Sequence, residues 1–285
     1  DISDWSRWGD HRDAVAMLAW LDVAVNFHGG AISGLMGRLR KLGVKTAISL
    51  HLNDHSPVGR QVGNTYLGLA FEHAYDLFLP CSHQMADWCH AMGVPDDKII
   101  TVLNAPSFER PVRRLNWRPE AKKSAGRKIR AMYLGRLDRQ KGLERLIGIV
   151  DATSAAKMNV EWRLIGKQVM AWDAPPLPDR IARMIEPSLT TPEALETAFA
   201  WADVLILPSY YEGLPLTILE AMRAGVIPIA TDAGAVTEVV RQWENGVVLS
   251  QTETVSEALS ALMRLVDDPD LVRRLSTQAR ADMQG

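Results

Sequence analysis

The sequence predicts an α/β protein made of two Rossmann-like halves in series. Three observations predict it. Short apolar runs alternate with helical stretches in two separate series, the pattern of βαβ units around a parallel sheet. A basic stretch broken by Pro111, Pro119 and Gly126 separates the two series. The second series holds a buried-type strand that runs through Glu212-Gly213-Leu214-Pro215 straight into a helix.

In the first half, strands are expected over 23–27, 46–50, 77–79 and 99–103, with helices over 14–21, 32–42 and 84–92. In the second, strands are expected over 129–134, 160–165, 202–207 and 226–230, with helices over 143–150, 194–200 and 218–223. Two further helices, over 254–266 and 270–283, close the chain. Asp268-Pro269-Asp270 between them is superficially a metal-binding Asp-x-Asp, but its place in a helix-to-helix turn makes Asp270 an N-cap. The stretch 109–130 carries nine basic and two acidic residues. The expected division is therefore a first domain over 1–108, a basic connector over 109–128 and a second domain over 129–285. Two such folds in series suit a ligand bound in a crevice at the ends of parallel strands.

With 285 residues, 47% of them hydrophobic and 23% charged, the chain can bury the cores of two ordinary domains. A net charge of -2 and a pI near 6.4 give no reason to expect nucleic acid. No uninterrupted apolar stretch reaches membrane-spanning length, and no signal peptide is read at the start. Two cysteines, Cys81 and Cys89, argue against a disulfide framework, so a reducing, cytoplasmic setting is the expectation. The basic connector leaves contact with an anionic membrane surface open. A chain that opens on Asp1 without methionine suggests an engineered or processed fragment.

The segment from Pro208 to Gly225 is the most informative. Gly213 permits a tight turn, and Pro215 suits a first helical turn. The free backbone N–H groups at that helix start would face an anion. Glu220 lies one turn past Thr217 on the same face, while Ile218, Leu219 and Met222 pack inward. Glu212, in the preceding loop, approaches the same pocket from its mouth. A second segment, Gly135-Arg136-Leu137-Asp138-Arg139-Gln140-Lys141-Gly142, follows the first strand of the second half and offers Arg136 and Lys141 to a diphosphate, the first as a planar fork and the second as a compact charge. Arg139 reads as solvated.

Other residues are weaker pointers. Ile165-Gly166-Lys167 ends a strand, with Gly166 a turn residue, and Glu186-Pro187-Ser188-Leu189-Thr190 leads into a helix. His51 sits just past a strand end; His55 and His28-Gly29-Gly30 are lesser candidates. Cys81, His83, Cys89 and His90 invite a zinc reading, but Ser82 as N-cap puts the two cysteines on different parts of one helix, so no metal site is expected. Trp5, Trp8 and Trp20 read as core or lid contacts.

The Glu212 to Glu220 pattern, continuing through 226–230, Asp232-Ala233-Gly234 and Glu238 to Asn245-Gly246, resembles the donor-binding motif of retaining GT-B glycosyltransferases of family four. The resemblance implies a GT-B fold, two Rossmann-like domains facing each other across a crevice, with part of the first domain missing from this chain. It implies transfer of a sugar from a nucleoside diphosphate sugar, built on uridine or guanosine diphosphate, to a hydroxyl acceptor such as a glycan or glycolipid, with retention at the anomeric carbon. No metal and no cofactor are implied; the nucleotide sugar is a co-substrate. By position, Glu220 would hold the ribose, and Glu212 with His51 would serve the donor sugar. Arg136, Lys141, Gly213, Leu214, Leu216 and Thr217 would hold the diphosphate. Gly166, Lys167, Ser188 and Leu189 would surround the base. Asn104-Ala105-Pro106 stands where the family has Asn-Gly-Val. A nucleotide-sugar-binding or scaffold protein of the same fold is the alternative, with an epimerase or phosphorylase behind it. A dehydrogenase is disfavoured because no Gly-x-Gly-x-x-Gly opens either half.

Overall fold

The computed structural model describes residues 21–27, 33–51, 74–105, 128–168 and 175–284. The expected helix over 14–21, His28-Gly29-Gly30, His55, the three N-terminal tryptophans and nearly all of the basic connector lie outside the described residues. The chain forms two compact units. One comprises residues 1–104 with Tyr211–Leu214; the other comprises Ala105–Tyr210 with Pro215–Gly285.

The first unit has a parallel sheet of β1 (Val23–Asn26), β2 (Lys45–Leu50) and β3 (Leu77–Pro80) in that order, with α1 (Ser33–Lys41) and α2 (His83–Ala91) as its described helices. Leu35, Leu39, Ile48, Phe78, Met85 and Cys89 pack one core, beside the edge-to-face pair Tyr75 and Phe78. Ser82 caps α2 as expected, its hydroxyl accepting the Met85 N–H at 3.1 Å. Burial in that core pushes the Cys89 thiol up to about 12. The expected strand over 99–103 is not one. Only Ile99 bridges to Phe78, and Ile100 N–H and Val102 N–H donate to Phe78 O and Pro80 O. Ile100, Val102 and Leu103 are exposed, so the segment trails along the edge of β3 without pairing as a ladder.

The second unit is a doubly wound sheet. Its strands are β4 (Ile129–Leu134), β5 (Val160–Ile165), β6 (Ile185–Glu186), β7 (Val204–Leu207), β8 (Ile227–Thr231) and β9 (Val247–Leu249), and the order is β6-β5-β4-β7-β8-β9, all parallel among the described residues. This is the 3-2-1-4-5-6 arrangement, with the reversal of strand order between β4 and β7. The helices are α3 (Leu143–Ala155), α4 (Asp179–Ala182), α5 (Pro192–Trp201), α6 (Leu216–Arg223), α7 (Val236–Val239), α8 (Thr254–Asp267) and α9 (Pro269–Asp282). Strands β7 and β8 are buried at every position, which is why their sequences read as continuous apolar runs. Helix α8 packs on α3, and α9 packs on α6. None of the described helices is long and apolar enough to cross a membrane.

The cap of α9 corrects the sequence reading. Asp268 is the N-cap, accepting Leu271 N–H at 2.9 Å, and Asp270 instead pairs with Arg273 inside the first turn. Pro269 takes the first helical position because it has no N–H to satisfy, and that moves the cap one residue ahead of it. At the far edge, Gln242 bonds both backbone groups of Val248 in β9: its Oε1 accepts the N–H at 2.8 Å and its Nε2 donates to the carbonyl at 3.2 Å.

One polar cluster ties the first sheet together. Asp76 accepts from Thr46 N–H and Arg40 Nε, each at 2.9 Å. Burial pushes its carboxyl up, but these donors outweigh burial and hold it below the usual carboxylate range. A carboxyl depressed in the folded state stabilises at pH above its unfolded value and loses that contribution as pH falls through the folded one. Asp76→Asn is therefore expected to cost about 1–2 kcal/mol near neutral pH, with the difference from wild type shrinking progressively as pH falls below the ordinary carboxylate range in urea unfolding followed as a function of pH. A penalty independent of pH would remove the carboxylate from the account.

Candidate functional site

At the carboxyl ends of the strands beside the reversal, the second unit forms a cleft of about 340 Å³. Five chain segments line it, Leu195 of helix α5 among them. The β4 loop contributes Gly135 and Arg136; the β5 loop contributes Gly166 and Lys167; the loop after β6 contributes Ser188 and Leu189; helix α6 contributes Thr217 and Glu220. This is where an open parallel sheet presents a ligand site. A larger groove of about 680 Å³, lined by residues including Trp243, Ser256 and Arg264, lies at the outer edge by β9 and α8, away from the reversal. Of the two, the smaller cleft is the candidate site, because it gathers loops from several strand ends among the described residues.

Two glycines let the loops close up. A Cβ on Gly166 would stand 1.9 Å from Gly135 O, so Gly166 does more than turn the chain: it allows the β4 and β5 loops to touch. Gly142, at φ 70°, precedes α3, and a Cβ there would stand 2.0 Å from Pro208 O. That contact brings the start of α3 against the end of β7.

Polar bonds fix the loops. Tyr133 Oη, fully buried, donates to Arg136 O. Asp138 accepts Lys141 N–H at 3.0 Å through Oδ1, and Arg136 Nη2 donates to Gln140 Oε1 at 2.8 Å. Where β6 leads into the next loop, Arg163 makes a two-pronged pair with Glu186, Nε to Oε1 at 2.7 Å and Nη2 to Oε2 at 2.5 Å, and its guanidinium lies 5.3 Å from the Trp201 ring. The Arg163 hydrogen bonds hold the Glu186 carboxyl below its usual range. This pair anchors the 187–190 loop at its root. Arg145, at the start of α3, donates to Pro208 O, Ser209 O and both Gln251 oxygens, and lies 3.6 Å over the Tyr210 ring. It sets the course of the chain leaving β7.

Of the residues the sequence singles out, Arg136, Gly166, Lys167, Ser188, Leu189, Thr217 and Glu220 converge on the cleft. Glu220 is buried, as are Ile218, Leu219 and Met222 on the inner face of α6. Lys141 and Leu216 belong to the same unit but not to the cleft wall, and Leu216 is exposed.

Four others belong to the first unit: His51, Glu212, Gly213 and Leu214. There His51 is exposed and hydrogen-bonded through Nε2 to Ser49 Oγ at 2.9 Å, Glu212 is buried, and Leu214 O accepts from Asn104 Nδ2 at 2.7 Å. Gly213 is required for space and not for a left-handed turn: its φ is ordinary, but a Cβ would meet His51 O at 2.2 Å. Sequence reasoning missed Leu195, which joins the cleft wall, and the supporting roles of Tyr133, Asp138, Arg145 and Arg163. The one available signal was Asp138 three residues before Lys141, the spacing of an Asx-type bond to backbone.

Comparison with known proteins places this arrangement. The chain is 25% identical to WcaL of Salmonella typhimurium, named as a colanic acid biosynthesis glycosyltransferase, over 97% of this chain and 72% of that protein. It is 27% identical to alpha-maltose-1-phosphate synthase of Mycolicibacterium smegmatis, over 68% of this chain and 48% of the relative. Among solved structures, Anabaena Alr3699/HepE in complex with UDP-glucose superposes with a TM-score of 0.73 at 17% identity, over 94% of this chain and 75% of that one. TarM does so with a TM-score of 0.70 at 16% identity, and there this chain spans 51% of the other's length. These likenesses establish a GT-B fold. The family model described as Glycosyl transferases group 1 matches residues 116–282, a span that contains every residue of the cleft. With its fold, its cleft at the strand reversal and more than half its length matched, the chain belongs to the group 1 glycosyl transferases.

Proposed function

We propose that the protein transfers a hexose-type sugar from a nucleoside diphosphate sugar to a hydroxyl acceptor with retention at the anomeric carbon. The observation that supports this best is the cleft, where a cation, a buried carboxylate and a helix start face one another within a single unit. In this reading the Glu220 carboxylate accepts from the ribose hydroxyls in charge-assisted bonds. Arg136 and Lys141, with the backbone N–H groups of Gly213, Leu214, Leu216 and Thr217, neutralise the diphosphate. Gly166, Lys167, Ser188 and Leu189 surround the base. The UDP-glucose bound by the Anabaena neighbour supports a nucleotide-sugar donor here.

The reaction follows from where charge develops. As the bond from the anomeric carbon to the diphosphate oxygen breaks, negative charge gathers on the leaving group, and cations and helix N–H groups already in place stabilise it without reorganising. The acceptor hydroxyl then attacks from the face the diphosphate leaves, and its proton passes to the departing diphosphate oxygen. Glu212 serves the donor sugar and His51 the sugar and acceptor, as the family resemblance assigns them. No metal is invoked, since the protein's own cations meet the leaving-group charge. Glycans and glycolipids are the acceptor classes in keeping with this reading, and a cytoplasmic location, with contact to a membrane surface through the basic connector, suits them.

Calorimetry with uridine and guanosine diphosphates and their sugar conjugates tests the site. Glu220→Ala is expected to weaken the free diphosphate roughly ten- to a hundredfold, the loss of one charge-assisted hydrogen bond of about 1.5–3 kcal/mol. Glu212→Ala should spare the free diphosphate and weaken the sugar-bearing donor. Equal losses for both ligands in both variants would refute the division of roles.

Turnover is tested separately. Incubation of the chain with the donor it binds and a panel of glycan and glycolipid acceptors should give a product whose anomeric configuration, read by NMR, matches the donor's. Chelation with EDTA should leave the rate unchanged. An inverted product would sink retention, a rate abolished by EDTA would sink metal independence, and donor binding with neither transfer nor hydrolysis would favour a binding protein.

A further inference from the structure

Asp138 has no part in the reading above, yet it is the most completely enclosed charged side chain near the cleft, with no exposure to solvent. Its two oxygens are used unequally. Oδ1 accepts Lys141 N–H at 3.0 Å, whereas Oδ2 lies 3.3 Å from Arg136 Nε and accepts no hydrogen bond. A buried carboxylate oxygen left without a donor is costly, so the position demands an explanation. The turn does not supply one. Capping Lys141 N–H needs one oxygen, which asparagine or serine would provide without a buried charge. The guanidinium is meanwhile held in a second direction, Nη2 on Gln140 Oε1 at 2.8 Å. Arg136 is thus caught between a strong acceptor it touches off-axis and a weaker, neutral one it bonds.

We propose that Asp138 is a positioning residue for Arg136: when a diphosphate enters the cleft, Arg136 Nε–H turns onto Asp138 Oδ2, and the two Nη groups leave Gln140 and face the phosphate oxygens. The inference rests on the proposed diphosphate site. A guanidinium has five donors in a rigid fork, so fixing the Nε edge on a buried carboxylate presents the Nη edge as a two-pronged phosphate clamp. The negative charge of Asp138 opposes phosphate binding at longer range. The guanidinium charge stands between the two anions and offsets that opposition, so geometry decides.

The test uses the whole chain and measures uridine and guanosine diphosphates against uridine and guanosine by competition calorimetry. Asp138→Asn is the informative variant, because Asp138→Ala also removes the Lys141 cap and threatens the fold. An amide has one acceptor oxygen, so whichever way it turns, an N–H faces either Lys141 N–H or Arg136 Nε–H. The diphosphate is expected to weaken roughly tenfold with the nucleoside unchanged. In an Arg136→Lys background, which lacks Nε–H, the same substitution should cost nothing further. Gln140→Ala, which removes the competing acceptor, should bind diphosphate at least as tightly as wild type.

An Asp138→Asn variant that binds diphosphate as well as wild type overturns the inference. So does equal weakening of diphosphate and nucleoside, an undiminished cost in the Arg136→Lys background, or a Gln140→Ala variant as weak as Asp138→Asn. If the wild type shows no preference for diphosphate over nucleoside, the diphosphate site itself falls and takes the inference with it.

Discussion

Parallel pairing of β4 on both of its edges, with β5 on one side and β7 on the other, is the constraint from which the second unit follows. Parallel neighbours cannot be joined by a tight turn, so each needs a crossover, and crossovers of one hand leading in opposite directions from β4 and β7 put their helices on opposite faces. The loops after these strands then part, and the space between them is the cleft. Glu220 and Arg136 are 84 residues apart in sequence, and they line one space because the sheet reverses there.

The cleft owes its closeness to backbone and its order to buried polar bonds. Gly166 against Gly135 and Gly142 against Pro208 are approaches that no side chain permits. Around them, Tyr133, Asp138 and Arg145 occupy carbonyls and amides that loops otherwise leave to water, and the Arg163–Glu186 pair holds the root of the 187–190 loop. A ligand meeting such loops finds them already ordered, so less of its binding energy is spent on arranging them.

Much of this was legible in the sequence. Apolar runs marked β4, β5, β7 and β8 because strands buried on both faces carry little else, and Ser82 announced α2. The Glu212 to Glu220 segment and the Arg136 to Lys141 loop could be singled out since each combines a strand end, a glycine and charge. What stayed hidden depends on partners distant in sequence. Gly166 looked like a turn residue because the Gly135 carbonyl it accommodates is invisible in the linear chain. Asp138 draws no reading of its own from the sequence because its burial is set by tertiary packing. The run over 99–103 read as a strand by composition, yet apolar residues on a sheet edge need a neighbour to pair with. Asp270 reads as a cap because both aspartates flank Pro269 and local pattern barely separates them.

The Gln242 side chain on β9 has a consequence for how the molecule behaves in company. A sheet made of parallel strands ends in a row of unused amides and carbonyls, an invitation to another chain. By engaging both backbone groups of Val248, one glutamine amide occupies the place that a seventh strand would take. At the opposite margin β6 is two residues long, too short a template to recruit a partner. At both borders, then, the sheet of the second unit leaves little template for a strand of another molecule to extend.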